Sequence, residues 1–416
     1  MLKKITKQKK IVLSNFISLS FLQGANYILP LITLPYLVKV LGIDKFGLVM
    51  LAQSVSLFFL IAVNFGFDIS GTREIAILKS QKKDISKTFW SIIIIKLALV
   101  ITCSVILFII VKSVNRFNEN ETIYFLSYGV VVGQSIFPDW YFMGIEKMKF
   151  VTITNVTAKV IFTILIFLFI KSEQDFYYVP IFNSFGFILA GVLGFSLALR
   201  QIKFVLPSKT LIKSLFVDSV SLFIGKFFTN FYTSTNLIIL SFFTGDVLVG
   251  VYSSIEKLLT AIRSVYIPIY QSVFPWFSTQ QGQKKINIFH KILLVVSVIG
   301  IVIFFGVLFT GDFVLDFMFG DPEINKYSYV FKTLGIISLL SGLSMAFISF
   351  YLPSEKLYNL RMKIFIIVGI SNFILSVILV RLYLINGNLV CVLISEILLL
   401  ALGFYYYKQH AKGKLS

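Results

Sequence analysis

The chain has 416 residues, of which 57% are hydrophobic and 14% charged, with a formal net charge of +19. A soluble chain alternates apolar faces with charged ones, but here apolar runs of about 20 residues recur, long enough to cross a ~30 Å hydrocarbon core at 1.5 Å per residue. Soluble multidomain architectures are excluded, and the charge has to be located before its sign is read as affinity for nucleic acid.

The first stretch, MLKKITKQKK and a long apolar run, imitates a signal peptide. It runs on through Pro30 and Pro35 with no small-residue cleavage site, which predicts a retained first helix. About twelve spans follow in chain order, at 12–38, 46–66, 88–111, 122–142, 151–170, 178–199, 214–241, 248–274, 291–310, 328–350, 362–382 and 387–407. The fold class expected is therefore an all-α polytopic membrane protein.

An even number of spans puts both termini on one side, and lysine and arginine assign that side. They crowd the termini and the loops at 73–87, 147–149, 200–213, 284–291 and 356–363. The opposite loops hold few and also carry Asp312, Asp316, Asp321 and Glu323. Both termini are expected in the cytoplasm. The basic excess is topological, so nucleic acid is not an expected partner.

Cys103 and Cys391 lie in separate apolar segments, and His290 and His410 fall in basic loops, so neither metal-ligand nor disulfide spacing is present. The sequence also has no phosphate-cradling loop and no nucleophile elbow. An enzyme is not expected, and no cofactor is expected beyond a coupling ion, H+ or Na+.

Sliding the two halves by 203 residues lays Gly42-x4-Gly47 on Gly245-x4-Gly250, Gln23 on Lys226, Asn26 on Thr229 and Gln53 on Glu256. This predicts two six-helix bundles, at 1–200 and 214–416, joined by a cytoplasmic linker at 201–213. Six spans per half keep the copies in one orientation, with a pseudo-two-fold axis along the membrane normal.

Ionisable residues inside the spans are the anomaly, because each costs roughly 2.5–3.5 kcal/mol at a helix centre. Lys226 with Asn230 and Thr233, and Tyr252 with Glu256, Thr260 and Arg263, fall at helical spacing and form stripes. Asn155 and Lys159 form another, and Gln23 belongs to one in the first span. Such faces should avoid lipid. Pro30, Pro35, Pro138, Pro268 and Pro275 mark expected kinks. Lys96 and Lys332 lie near span ends and are expected to snorkel.

Four segments then resemble a known family. Gln23 to Ser54, Asn64 to Ala76 (NFGFDISGTREIA), Pro138 to Phe150 (PDWYFMGIEKMKF) and Tyr252 to Ser278 are similar, in order, to the bacterial O-antigen and capsule flippases of the Wzx type. That family shares a superfamily with the MATE drug exporters and the lipid II flippases. The resemblance implies two six-helix bundles around a cavity. It also implies transport of an oligosaccharide on undecaprenyl pyrophosphate from the cytoplasmic to the periplasmic face of the inner membrane. Membrane lipid, a polysaccharide polymerase and a chain-length regulator are the implied partners.

A pyrophosphate away from bulk water needs cations and hydrogen-bond donors. Lys226 and Lys159 are the foremost candidates, with Asn230, Thr233, Arg263, Lys257, Asn155, Gln23 and Tyr252 around them. Lys226 has the alternative of pairing with Asp218 or snorkelling. Glu256 is read either as an ion-coupling carboxylate or as one half of a structural pair to another helix. Glu396 and Asp139 are further coupling candidates, Asp139 being expected at the wet cytoplasmic edge. A cation-coupled drug exporter of the same fold is the alternative function, and a membrane polymerase a third.

Overall fold

The computed structural model describes the backbone of residues 2–415 and the side chains of residues 23–410, Tyr232, Thr233 and Pro275 excepted. Helix meets every expected span, and no strand occurs among the described residues. In chain order the α-helices of six or more residues are α1 (Leu2–Asn64), α2 (Phe67–Ser80), α3 (Ser86–Ser113), α4 (Glu121–Ile136), α5 (Asp139–Gly144), α6 (Met148–Phe169) and α7 (Tyr178–Leu199). They continue as α8 (Lys209–Phe243), α9 (Asp246–Arg263), α10 (Tyr266–Ser278), α11 (Gly282–Met318), α12 (Ser328–Leu334), α13 (Ile337–Ser344) and α14 (Tyr358–Leu415). Seven helical stretches among the described residues are long and apolar enough to cross a membrane. Two of these, Gln23–Ser80 and Tyr358–His410, each contain more than one expected span.

The interruptions have identifiable chemical causes. Gly42 breaks α1 at φ 74°, ψ 160°, a backbone conformation open to a residue without a Cβ. The expected span at 122–142 stops at Ile136 because Pro138 has no N–H to continue the ladder, and the short α5 follows. The span at 248–274 breaks between Arg263 and Tyr266. Pro268 thus falls in the first turn of α10, where its missing N–H has no intrahelical partner to lose, so it does not kink a helix there. The span at 328–350 is also divided, into α12, α13 and a π-helical stretch at Met345–Tyr351. The last two spans lie in α14, broken at Leu384 with φ 52°.

The chain divides into two compact units. One comprises Met1–Thr33 and Leu51–Phe227, the other Leu34–Met50 and Phe228–Ser416. The division therefore falls inside α1 and α8.

In the first unit α4 lies along α7. Small residues permit the approach: a Cβ on Gly133 would overlap the Phe187 backbone, and one on Gly191 would overlap the Gly133 carbonyl. The core of this unit gathers Phe89, Ile92, Trp140, Tyr141 and Phe142. At the start of α3, Asp84 accepts hydrogen bonds from the Ser86 N–H at 3.0 Å and the Ser86 hydroxyl at 2.7 Å. These bonds hold its carboxyl below the usual carboxylate pKa. The second unit packs around Tyr266, Phe277, Phe289, Phe350, Tyr351 and Tyr407.

Outward faces are apolar where a soluble protein would be charged. Ile101 is 65% exposed and Phe309 79%. Hydrocarbon is the solvent that suits them, and the chain is a multi-pass membrane protein.

Candidate functional site

Lys226, half-exposed on α8, forms an ion pair with Asp68 in the first turn of α2. Asp218, the alternative partner, is exposed, and the Lys226 ammonium meets Asp68 instead. A local chain context could not reveal Asp68, which lies 158 residues away in sequence. Its placement on the seam between α2 and α8 depends on the turn at Phe65 and Gly66.

Lys96 corrects a second expectation. It does not snorkel but is buried, 2% exposed, with its ammonium 3.4 Å from the Gln134 carbonyl. In an uninterrupted helix that carbonyl would accept from the N–H four residues on, at position 138. Proline stands there, so the carbonyl is left open for Lys96. Asp139 and Asp68 provide the opposing negative charge.

Asp139 is half-buried, and its Oδ1 accepts from the Trp140 N–H at 2.8 Å. With Asn64, Gln134, Thr154 and Asn155 it lines a polar cavity of about 40 Å3. The space is polar and large enough for ordered water or a small cation. Two sequence candidates, Asp139 and Asn155, are brought together here. Asn155 donates at 2.9 Å to the Val151 carbonyl of its own helix. Lys159, one turn further along α6, is half-buried, as is Gln23 on α1.

In the second unit the Arg263 guanidinium lies 3.8 Å from the Glu396 carboxylate, whose side chain is only 4% exposed. The same guanidinium reaches Thr260 Oγ1 at 3.3 Å, and Ser344 donates to Glu396 at 3.5 Å. A substrate candidate and a coupling candidate are thus partners. Glu256 is half-buried and Lys257 beside it exposed. Tyr252 is buried at 3% exposure and presents no surface to a ligand in this structure. Asn230 is half-buried on α8. Thr233 lies on the same helix, with its side chain outside the described residues.

A neutral polar cluster escaped the sequence reading, which followed charge. Ser376 donates to Asn236 at 2.8 Å and lies 3.2 Å from the Cys391 sulfur, and Asn372 donates to Ser395 at 2.9 Å. All five are buried, and Asn372, Ser376 and Cys391 are fully buried. Helical spacing within α14, Asn372 to Ser376 and Cys391 to Ser395, was the available signal.

A family model described as polysaccharide biosynthesis protein matches residues 12–281. A protein named "Putative O-antigen transporter" from Escherichia coli (strain K12) is 26% identical over 401 residues, covering 95% of this chain and 96% of that protein. A protein of the same name from Shigella dysenteriae is 27% identical over 388 residues, covering 92% and 97%. Among solved structures, an inward-facing MATE family multidrug resistance transporter superposes with a TM-score of 0.73 at 12% identity, over 92% of this chain and 95% of that one. The lipid II flippase MurJ, in an inward closed conformation, gives 0.64 at 16% identity, over 95% and 87%. The fold is MATE-like.

Proposed function

Because the chain belongs to the polysaccharide biosynthesis protein family, we propose that it is a flippase for lipid-linked oligosaccharide. In this reading it carries the undecaprenyl-pyrophosphate-linked unit from the cytoplasmic to the periplasmic face of the inner membrane by alternating access. The observation that carries the reading is Lys226, a half-exposed ammonium in an apolar helix of spanning length. A cation there is costly unless it meets an anion; Asp68 is that anion in this structure, and because the pair stays partly exposed the diphosphate of such a substrate can reach the same ammonium. Lys159 is the second cation assigned to it, with Asn155 and Gln23 of the same unit as hydrogen-bonding groups. Lysine binds phosphate as a point charge without the fixed fork of arginine, which suits a ligand that must be released.

Coupling to H+ or Na+ belongs to the same proposal, with Asp139, Glu256 and Glu396 as the carboxylates assigned to it. A polysaccharide polymerase and a chain-length regulator are the partners such a step needs downstream. A cation-coupled drug exporter is less well supported. The likeness to multidrug transporters is at 12% identity and speaks for fold alone, and lysine is the wrong sign for a cationic drug.

The deciding experiment is flipping of a defined lipid-linked oligosaccharide in vesicles containing the purified protein, with and without a proton or Na+ gradient. Lys226→Ala is expected to lower the initial rate by about tenfold, the loss of one charge-assisted hydrogen bond of roughly 1.5 kcal/mol. Lys159→Ala should act in the same direction. Undiminished flipping by the double alanine variant removes both from the site, and no flipping by the unaltered protein with either gradient removes the function.

A further inference from the structure

Helix α2 meets α8 along a seam that leaves little freedom. The Ser70 and Ser219 hydroxyls are 2.7 Å apart. Gly66, at φ +80°, has no room for a Cβ against Leu222. Phe65 stacks on Phe216 and Phe223 with centroids 4.5 and 4.8 Å apart. Positions 216, 219, 223 and 226 recur every three or four residues and form one face of α8. The next contact along that face is Lys226 with Asp68.

Asp68 Oδ2 takes the Lys226 ammonium, while Oδ1 is buried and has no hydrogen-bond partner among the described residues. A carboxylate oxygen left without a donor in such a place is unfavourable. Packing along the seam, not the comfort of the carboxylate, holds Asp68 there. The pair is also within reach of a ligand, since its side chains are 37% and 30% exposed.

Resting on the reading of Lys226 as a ligand of the diphosphate, we propose that Asp68 is an internal stand-in for that diphosphate and sets the affinity an anion must exceed to occupy the site. The carboxylate holds the ammonium in the absence of substrate, and an anion binds by displacing it. The exchange of one ion pair for another favours the incoming anion that carries the greater charge and the more acceptor oxygens. A diphosphate has both. The phosphodiester headgroups of surrounding membrane lipid carry a single charge and displace a carboxylate poorly, so competition from Asp68 keeps an abundant weak ligand from filling the site while a diphosphate still can. Displacement also breaks the ionic contact between α2 and α8 only when the correct anion is seated.

The test uses the full chain in nanodiscs of zwitterionic lipid, with inorganic pyrophosphate and dimethyl phosphate as probes and the unfolding temperature as a folding control. Asp68→Asn is expected to bind pyrophosphate roughly two- to fivefold more tightly, the range available to an ion pair between partly exposed groups. Dimethyl phosphate should gain by the same factor, because the competitor removed is the same for both. Asp68→Glu, which keeps the charge, should behave as the unaltered protein. If Lys226→Gln binds pyrophosphate as well as the unaltered protein does, the role of Lys226 itself is wrong. If Lys226→Gln loses binding but folded Asp68→Asn gains none, Lys226 stands and the stand-in is overturned. In the unaltered protein, saturating pyrophosphate should raise the reactivity of Asp68 toward a water-soluble carbodiimide, and unchanged reactivity also overturns the proposal.

Discussion

Gly47 and Gly250 meet backbone to backbone: a Cβ on Gly47 would lie 2.7 Å from the Gly250 nitrogen and overlap the Asp246 carbonyl, and one on Gly250 would overlap the Ile43 carbonyl. These are the same two glycines that the 203-residue repeat superimposes. Each copy of the repeat thus gives the other a surface without a side chain. The seam lies within the unit formed by Leu34–Met50 and Phe228–Ser416.

Gly47→Ala and Gly250→Ala are therefore expected to force the segments apart, each at a cost of about 1–3 kcal/mol for overpacking. Thermal unfolding of the purified protein in detergent measures this. Gly24, with nothing within 4 Å of an added Cβ, is the control position for an alanine substitution. Equal stability of all three variants would contradict the close approach.

Arg263 and Glu396 offer a second test, because the glutamate is buried and the arginine only a quarter exposed. Arg263→Ala leaves a carboxylate without its cation. The expected loss is up to about 3 kcal/mol, the low end of the range for breaking a buried pair, since the separation is 3.8 Å. Adding Glu396→Gln should recover part of it. A double-mutant cycle on unfolding free energy checks this, and strictly additive losses would show that the two do not interact.

The spans, the glycine repeat and the cations set in apolar runs were legible in the sequence because each is a local pattern. What those cations touch was not. Lys226 reads as a substrate ligand, with Asp218 or water as the alternative contacts, and the contact it makes is Asp68, because the turn at Phe65 and Gly66 brings α2 to α8. Lys96 was expected to snorkel because its position near a span end permitted it. The carbonyl it takes was released by a proline four residues further along a different helix. The signal was present as Gln134 and Pro138, but connecting it to Lys96 required knowing that α3 and α4 are neighbours. The polar cluster at Asn236, Asn372, Ser376, Cys391 and Ser395 carries no charge, so nothing ionisable in an apolar run marks it.

The Lys96 geometry makes its own prediction. Lys96→Met removes the donor to the Gln134 carbonyl and should cost about 1–3 kcal/mol for the buried group left unsatisfied. Pro138→Ala supplies an N–H that can close the helical bond to the same carbonyl. In that background Lys96→Met should cost less, so the two substitutions should be non-additive. An identical cost in both backgrounds, read from chemical unfolding, would mean that the carbonyl does not explain the burial of Lys96.

Lys285 and Glu355 form the most buried ion pair among the described residues, at 2.8 Å with side chains 6% and 8% exposed. The ammonium also donates to the Ser354 carbonyl at 3.3 Å and lies 5.0 Å from the centre of the Phe277 ring. It ties the start of α11 to the turn that precedes α14. Removing one partner strands the other, so Lys285→Met or Glu355→Leu alone is expected to cost about 3–5 kcal/mol. The double variant replaces two desolvated charges with apolar side chains that can pack against Phe277 and should recover most of that loss, because the desolvation of the pair disappears together with its attraction. Unfolding temperatures of the three variants, compared with the unaltered protein at one detergent concentration, decide it. A double variant as unstable as the worse single variant would mean that the geometry around Ser354, and not the balance of charge, is what the pair maintains.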